Sequence, residues 1–526
     1  MNATNIDLGD RTSAGPPPIS RNQEKWILAA TIIASTMAFS DMTIVNVALP
    51  VLQRGLGASF AQVQWVVEAY ILVLSALILV GGAIGDLYGR RRVFSLGIAI
   101  FALASAACGL APDAATLVLA RGVQGFGAAL MMPGSLAIVS ASFPSERQGD
   151  AIGLWSATTG IAMAIAPAFG GWLIDNLSWH AAFLINLPLA AVAFTITWWK
   201  VPESRSPRTR SLDLTGMLLA IVGLGCLTYG LIAAGERGFA HPLTFGPMLF
   251  GAAALSLFFL AERRVRDPMI PLTLFRLPNF GGIQAYTFLL WAALQGTTFF
   301  VPFRLMQVQG FAPTEAGMAL LPLVVISSLL SRRFGRVADR VQPRILLVAG
   351  ACLTGTGFLL LTFPDANTSY VVGFMPALLL MGIGMGVCQV PVTVVAMNAA
   401  GRGNVGTSSA INNMAARTGG LIAIAVFGLI LAHGYNGALD AGLKSAGLPE
   451  AAQQALELQR AKLAGSAIPA ELTPDQRITA AAIVKQSFIA GYRWAMLIAG
   501  AMAFFSAWIA IRYLKPVARH EAAAKL

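Results

Sequence analysis

Asp41 stands inside an apolar run that begins at Trp26 and closes at Pro50. An ionisable group at membrane depth is costly to insert, and it faces a bundle interior or a wet path, which marks it as functional. Two more charges share that setting, Glu68 in the second apolar run and Arg121 in the fourth. Measured from the outer ends of their runs at about 1.5 Å per residue, Asp41 lies roughly 13 Å deep and the other two roughly 8–9 Å. An arginine at this depth needs a counter-ion, and two carboxylates are on offer. A carboxylate that alternates between an arginine partner and drier surroundings changes its hold on a proton. Asp41, Glu68 and Arg121 are therefore the candidate proton-coupling residues, with Asp41 the first choice and Glu68 the alternative carrier or a sharer of the proton. A static charge network that only orients helices would use the same residues. Arg417 is a separate intramembrane cation with no acidic partner evident in the sequence, a candidate for gating.

Charged groups at such depth require a chain that spans a bilayer many times, and the composition agrees. Of 526 residues 56% are hydrophobic and 11% charged, with mean hydropathy +0.69, against about 25% charged in ordinary soluble domains. Apolar runs of about 20 residues fall near 26–48, 64–84, 93–111, 115–140, 151–174, 180–199, 214–234, 243–262, 281–303, 313–331, 345–363, 370–395, 408–432 and 488–513. The expectation is an all-α polytopic membrane protein with 14 transmembrane helices. Residues 1–25, with Pro16-Pro17-Pro18 and mixed charge, read as a disordered cytoplasmic tail, and no cleavable signal peptide is visible.

The net charge of +12 is distributed by loop. Arg90–Arg92, Arg147, Lys200 to Arg210, Arg263 to Arg276, Arg332 to Arg344 and Arg512 to Lys525 all fall on one side, whereas the opposite short loops hold Arg54, Arg237 and Arg304. This positive-inside asymmetry places both termini in the cytoplasm and gives the basic residues a reason other than nucleic acid.

Enzymatic readings find little support. The four cysteines, Cys108, Cys226, Cys352 and Cys388, all lie in apolar runs as small buried thiols. The four histidines are scattered without metal-ligand spacing. Gly382-Ile-Gly-Met-Gly386 lacks the strand-turn-helix context of a nucleotide loop and reads as close helix packing.

An internal repeat organises the chain. The loop after the second run reads Gly82-Ala-Ile-Gly-Asp86-Leu-Tyr-Gly89-Arg90-Arg91, and the loop after the tenth reads Gly335-Arg-Val-Ala-Asp339-Arg340-Val-Gln-Pro-Arg344. Each places Asp four residues after Gly and then a basic cluster. Two six-helix halves would repeat with an offset of six, so an offset of eight puts two additional spans between them. Duplication of this kind is typical of secondary transporters, whose halves rock around a site near the midplane. The implied organisation is an N-terminal bundle over 26–199, a linker with the two inserted helices over 200–270, a C-terminal bundle over 271–513 with an outer loop at 434–487, and a tail over 514–526.

These residues together resemble the fourteen-spanning drug:proton antiporters of the major facilitator superfamily, along nearly the whole chain. Asp41-Met-Thr-Ile-Val-Asn46-Val-Ala-Leu-Pro50 looks like that family's first-helix signature. Gly82 to Arg92 resembles the superfamily's loop motif, with Leu87 in place of the usual Arg. Arg121-Gly-Val-Gln124-Gly125 matches the fourth-helix motif, and Trp179 to Pro188 resembles another family segment with His180 and Ala181 substituted. In the fifth span Gly153, Ala157, Gly160, Ala164, Pro167 and Gly171 form a stripe of small residues that lets another backbone approach. It looks like the antiporter motif, with Gly170-Gly171 beside Pro167 allowing a bend and with Ala162 and Ala166 where the family has Gly.

The resemblance implies a substrate cavity lined by spans 1, 4, 9 and 12. Candidate lining residues are Asn46, Gln124, Trp291, Gln295, Phe299, Met385 and Gln389, since aromatic and thioether surfaces suit broad recognition of apolar compounds. It further implies export of small hydrophobic or cationic compounds in exchange for protons across the cytoplasmic membrane. No cofactor is required beyond the proton gradient, and no nucleic acid. Partners would be the substrate, protons and lipid, with a periplasmic adaptor a candidate in a Gram-negative cell. The competing readings are a transporter of the same fold dedicated to one metabolite, antibiotic or siderophore, and a membrane enzyme or receptor, which lacks a catalytic constellation. In the outer loop, Pro449 to Leu463 has helical composition, and Thr473-Pro474-Asp475 has the residue types that start a helix.

Overall fold

The computed structural model describes residues 20–205, 213–265, 268, 270–277, 279–338, 340–401 and 405–514. Fourteen of its helices are long and apolar enough to cross a membrane, and no strand occurs among the described residues. The first half consists of α1 (Arg21–Gly55), α2 (Phe60–Tyr88), α3 (Arg90–Gly109), α4 (Ala114–Ser142), α5 (Ser145–Asn176), and a sixth span broken at Ile185 into α6 (Trp179–Leu184) and α7 (Asn186–Lys200). The inserted pair is α8 (Leu214–Arg237) and α9 (Pro242–Glu262). The second half has α10 (Phe280–Phe303), α11 (Pro313–Ala319) continued by α12 (Leu321–Val337), α13 (Pro343–Leu360), α14 (Tyr370–Gly373) continued by α15 (Met375–Ala399), α16 (Val405–Ser445), α17 (Glu450–Leu458) and α18 (Pro474–Tyr513).

Local chemistry sets the boundaries. Ser59 and Gln62 form a reciprocal cap at the start of α2, with bonds of 2.9 and 3.2 Å, and Asp113 accepts the Thr116 amide at 2.8 Å to start α4. Such caps satisfy amides that have no partner in the first turn. Within the spans every helix bonds its own backbone, as a lipid setting demands, and large apolar residues such as Leu103, Leu119 and Trp199 face outward.

With an even number of crossings, both described ends of the chain lie on one face, here the near face; the opposite side is the far face. At the far face the halves are locked together. A Cβ on Gly171 would lie 2.3 Å from the Pro313 carbonyl oxygen, and one on Gly317 would lie 2.1 Å from that of Pro167. Asp175 accepts the Thr314 amide at 2.8 Å across the same contact. Phe60 of α2 inserts among Phe299, Phe300 and Phe303 of α10, with ring centroids 5.3–6.3 Å away. Toward the near face the halves part: a Cβ on Gly153 or Gly160 would meet nothing within 4 Å. The conformation is closed on the far face and open on the near one.

Three sequence expectations change. Arg21–Lys25, assigned to the tail, form the first turn and a half of α1, where buried Glu24 holds Arg147 through two bonds of 2.8 Å. Arg304, counted as a loop residue, is buried, because the helix continues past Phe303 through a π-type turn; it donates to the Pro364 carbonyl at 2.8 Å. The segment 434–487 is helical at both ends, since α16 runs to Ser445 and α18 starts at Pro474 behind a Thr473–Gln476 cap. Between them, α17 and the turn at Arg460–Gly465 fold back on the far face. There the Gln53 amide donates to the Lys462 carbonyl at 3.0 Å, and Gln53 accepts from Gln307 at 2.8 Å.

Candidate functional site

Asp41 sits on α1 just below the level where the halves close, and it is 1% exposed. Arg121 of α4, fully buried, forms an ion pair with its Oδ2. The guanidinium is fixed on other sides as well: Nε donates to the Val66 carbonyl at 2.9 Å, Nη1 donates to Gln124 Oε1 at 2.7 Å, and the Tyr70 ring lies 4.3 Å from Cζ. Gln124, one turn along α4, donates its amide to Asp41 Oδ1 at 2.9 Å. Asn186 at the start of α7 donates to the same oxygen at 3.1 Å and to Ser105 Oγ at 3.0 Å. Ser105 in turn donates to the Phe183 carbonyl at 2.9 Å. One carboxylate is thus held by α1, α4 and α7, with α3 behind it. Removing a partner from a buried pair leaves an uncompensated charge, so the network has one stable ionic arrangement in this state.

Glu68 does not join it. On α2 it is offset by two residues, about 200° of helix rotation, from both Val66 and Tyr70, the residues that contact Arg121. It is fully buried, and among the described residues neither carboxylate oxygen has a hydrogen-bond partner. It lies one turn from Gln64, whose amide donates to the Ile424 carbonyl of α16 at 2.9 Å. Glu68 therefore faces the seam between the halves rather than the arginine. Arg417 projects from α16 near Tyr70 and makes no hydrogen bond or ion pair with a described residue.

The expected cavity residues divide. Trp291 and Gln389 line a cavity of about 100 Å³ in the second half together with Thr287, Asn412 and Asn413. Gln295 packs on Gly420. Asn46 is half-buried, and its Oδ1 has no partner among the described residues. Gln124 belongs to the ion centre, as its bonds with Arg121 and Asp41 show. Phe299 is fully buried in the far-face aromatic cluster, and Met385 is buried in the core of the second half, on the α15 face whose Met381 and Cys388 pack on Gly357 and Gly350 of α13.

The loop motif is built as a clasp on the near face. Asp86 binds Arg90 at 2.8 Å, and Gly89 turns the chain at φ 112°, where a Cβ would lie 2.7 Å from the Glu203 carboxylate. Glu203 accepts the Arg91 amide at 3.0 Å and approaches the side chains of Arg91 and Arg92. Gly82 packs on Pro133 at an ordinary distance. In the second copy Arg340 is exposed at the end of α12, and Asp339 lies outside the described residues. Of the small-residue stripe, Pro167 and Gly171 make the close contacts, both with α11, and the neighbouring Gly170 packs on Ile44.

Sequence reasoning missed Asn186, Ser105 and Glu203. Asn186 was visible as an amide inside an apolar run, in the segment that carried the family resemblance. Ser105 and Glu203 gave no spacing signal.

The chain thus has two facing helical halves, an inserted hairpin and an ion pair buried within the spans. The model of the Major Facilitator Superfamily matches residues 31–424, and the chain belongs to that family. It is 35% identical over 496 residues to "Multidrug resistance protein Stp" of Mycobacterium tuberculosis, covering 91% of each chain. It is 34% identical over 435 residues to "Methylenomycin A resistance protein" of Streptomyces coelicolor, covering 81% of this chain and 90% of that one. It is 31% identical over 487 residues to "Tetracenomycin C resistance and export protein" of Streptomyces glaucescens, covering 92% and 90%. Among solved structures, a bacterial homologue of the human lysosomal transporter Spinster, inward-facing and unoccupied, aligns with TM-score 0.65 at 17% identity, covering 95% of this chain and all of that one. At that identity the likeness bears on fold alone.

Proposed function

We propose that this protein exports small, mostly hydrophobic or cationic compounds across the cytoplasmic membrane in exchange for protons, by alternating access. The observation that carries the reading is the Asp41 carboxylate, buried at depth and held by Arg121, Gln124 and Asn186. Substrate enters the near-face opening while the far face is sealed. Protonating Asp41 neutralises one member of the pair, frees Arg121 and weakens the link between α1 and α4. That couples proton binding to a change in helix packing. The near face is cytoplasmic on this reading, supported by its basic loops. The names of the relatives, which refer to drug resistance and export, support the direction of transport.

The test is transport in proteoliposomes under an imposed pH gradient. Wild-type protein should concentrate a lipophilic drug against its gradient, and Asp41→Asn should not. Equal uphill transport by both would remove Asp41 from the coupling role. A second reading, a pump dedicated to one compound, is favoured by relatives named for methylenomycin A and tetracenomycin C. A resistance profile of cells producing the protein separates the two: protection against many unrelated compounds, or against one.

A further inference from the structure

Beneath the far face, α2, α8 and α16 meet around a cavity of about 230 Å³ lined by Phe60 and Gln64 of α2, Ile232 and Glu236 of α8, and Gly428 and Asn436 of α16. Glu236 is exposed at its mouth, together with Glu457 and the half-buried Arg460 of the capping segment. Gln64 closes the floor by donating to the Ile424 carbonyl. One turn deeper the same junction holds Glu68, on the α2 face between the residues that contact α8 and those that contact α16. Trp65 packs on Tyr229 with centroids 6.3 Å apart, Leu72 abuts Gly225, and Gln64 spans to α16. On α8, Thr228 lies between Gly225, which meets α2, and Gly235, which meets α16. Thr228 is 1% exposed, and its hydroxyl has no partner among the described residues.

Two unpartnered polar side chains thus lie buried directly under a polar-floored cavity, although leaving such groups unbonded costs about 1–3 kcal/mol each. From the geometry we infer that this junction is the route by which Glu68 exchanges its proton with the far face. The route is separate from the Asp41 centre, with the inserted helix α8 as its third wall. A hydronium in the cavity passes its proton to a Glu68 carboxylate oxygen and leaves water behind; Gln64 must swing off Ile424 to join the two spaces. The titratable and charged groups around the route are Tyr229 and Glu236 of α8 and Glu457 and Arg460 of the cap. Arg121 lies on the opposite side of α2, and Arg417 of α16 lies toward Tyr70. The inference rests on the proton-coupled reading above, but its test does not.

A carbodiimide reacts with a protonated buried carboxyl, and mass spectrometry locates the adduct. In oriented proteoliposomes holding the full chain, labelling of Glu68 should fall several-fold as far-side pH is raised from 6 to 9 and ignore near-side pH. Ala432→Cys at the cavity wall, modified after folding with a membrane-impermeant thiol reagent, should abolish that dependence; wild-type protein treated alike controls for the native cysteines. Thr228→Val should slow labelling while leaving drug counterflow, which needs no net proton movement, within twofold of wild type. Labelling that follows near-side pH, or that is unchanged by plugging the cavity, would overturn the inference. If Glu68 follows far-side pH in a protein that shows no proton-driven transport, the route stands and the coupling proposal falls. If coupling is intact while Glu68 follows the near side, the reverse holds.

Discussion

Asp41 accepts from Arg121, Gln124 and Asn186, and its pair with Arg121 carries two predictions. Asp41→Asn keeps the shape but leaves Arg121 without a counter-charge, a change that costs roughly 3–5 kcal/mol in a buried pair. Purified Asp41→Asn protein should melt at lower temperature than wild type and lose uphill transport. Arg121→Lys should not restore function, since a lysine supplies a point charge where the guanidinium spans Asp41, Gln124 and the Val66 carbonyl. Uphill transport by Arg121→Lys at half the wild-type rate or more would show that charge alone is enough. The burial of Asp41 and Arg121 was legible from depth, because a charge in an apolar run is conspicuous. Their pairing with each other rather than with Glu68 was not, because residue counting gives height along a helix and leaves the facing direction open. Helical phase relative to Val66 and Tyr70 settles it once the contact with Arg121 is known.

At the scale of elements, α5 and α10 carry the far-face seal. The small-residue stripe of α5 uses only Pro167–Gly171 here, while Gly153 and Gly160 border open space. Gly171→Val should therefore disrupt the closed far face, and Gly153→Val should leave this conformation intact. Cysteines placed at Thr314 and labelled from the far side report the difference: labelling should rise at least several-fold in Gly171→Val and stay unchanged in Gly153→Val. Phe299→Ala empties the centre of the aromatic cluster with Phe60, a loss on the order of 3 kcal/mol for a buried phenylalanine. It should raise far-face accessibility for every substrate alike, not alter preference among substrates as a cavity residue would. Uneven shifts in resistance across compounds would return Phe299 to the cavity wall. The stripe was readable from spacing alone, but which half is engaged depends on the conformation, a property no sequence pattern encodes.

For the whole molecule, the number of spans and the additional pair followed from apolar run lengths and the eight-span offset of the Gly82 and Gly335 loops. What the runs concealed were the ends: α16 and α18 extend well past their apolar stretches, because alanine-rich and capped polar sequence continues a helix outside lipid. Orientation is checked by reporter fusions. A fusion after Leu514 should report the cytoplasm, and an insertion at Lys462 should report the exterior. Thirteen spans precede Lys462, so a cytoplasmic signal there would require an even number of crossings before it.

The length of that last pair has a practical side. A 40-residue helix such as α18 measures about 60 Å, twice the hydrocarbon thickness, so α16 and α18 rise together as a stalk, braced by α17 and held down through Gln53. Transport proteins without soluble domains offer electron microscopists little to align once lipid surrounds them. Here the chain brings its own fiducial, on one side only, and an antibody fragment raised against Glu450–Leu458 would lengthen it without touching the path of the drug.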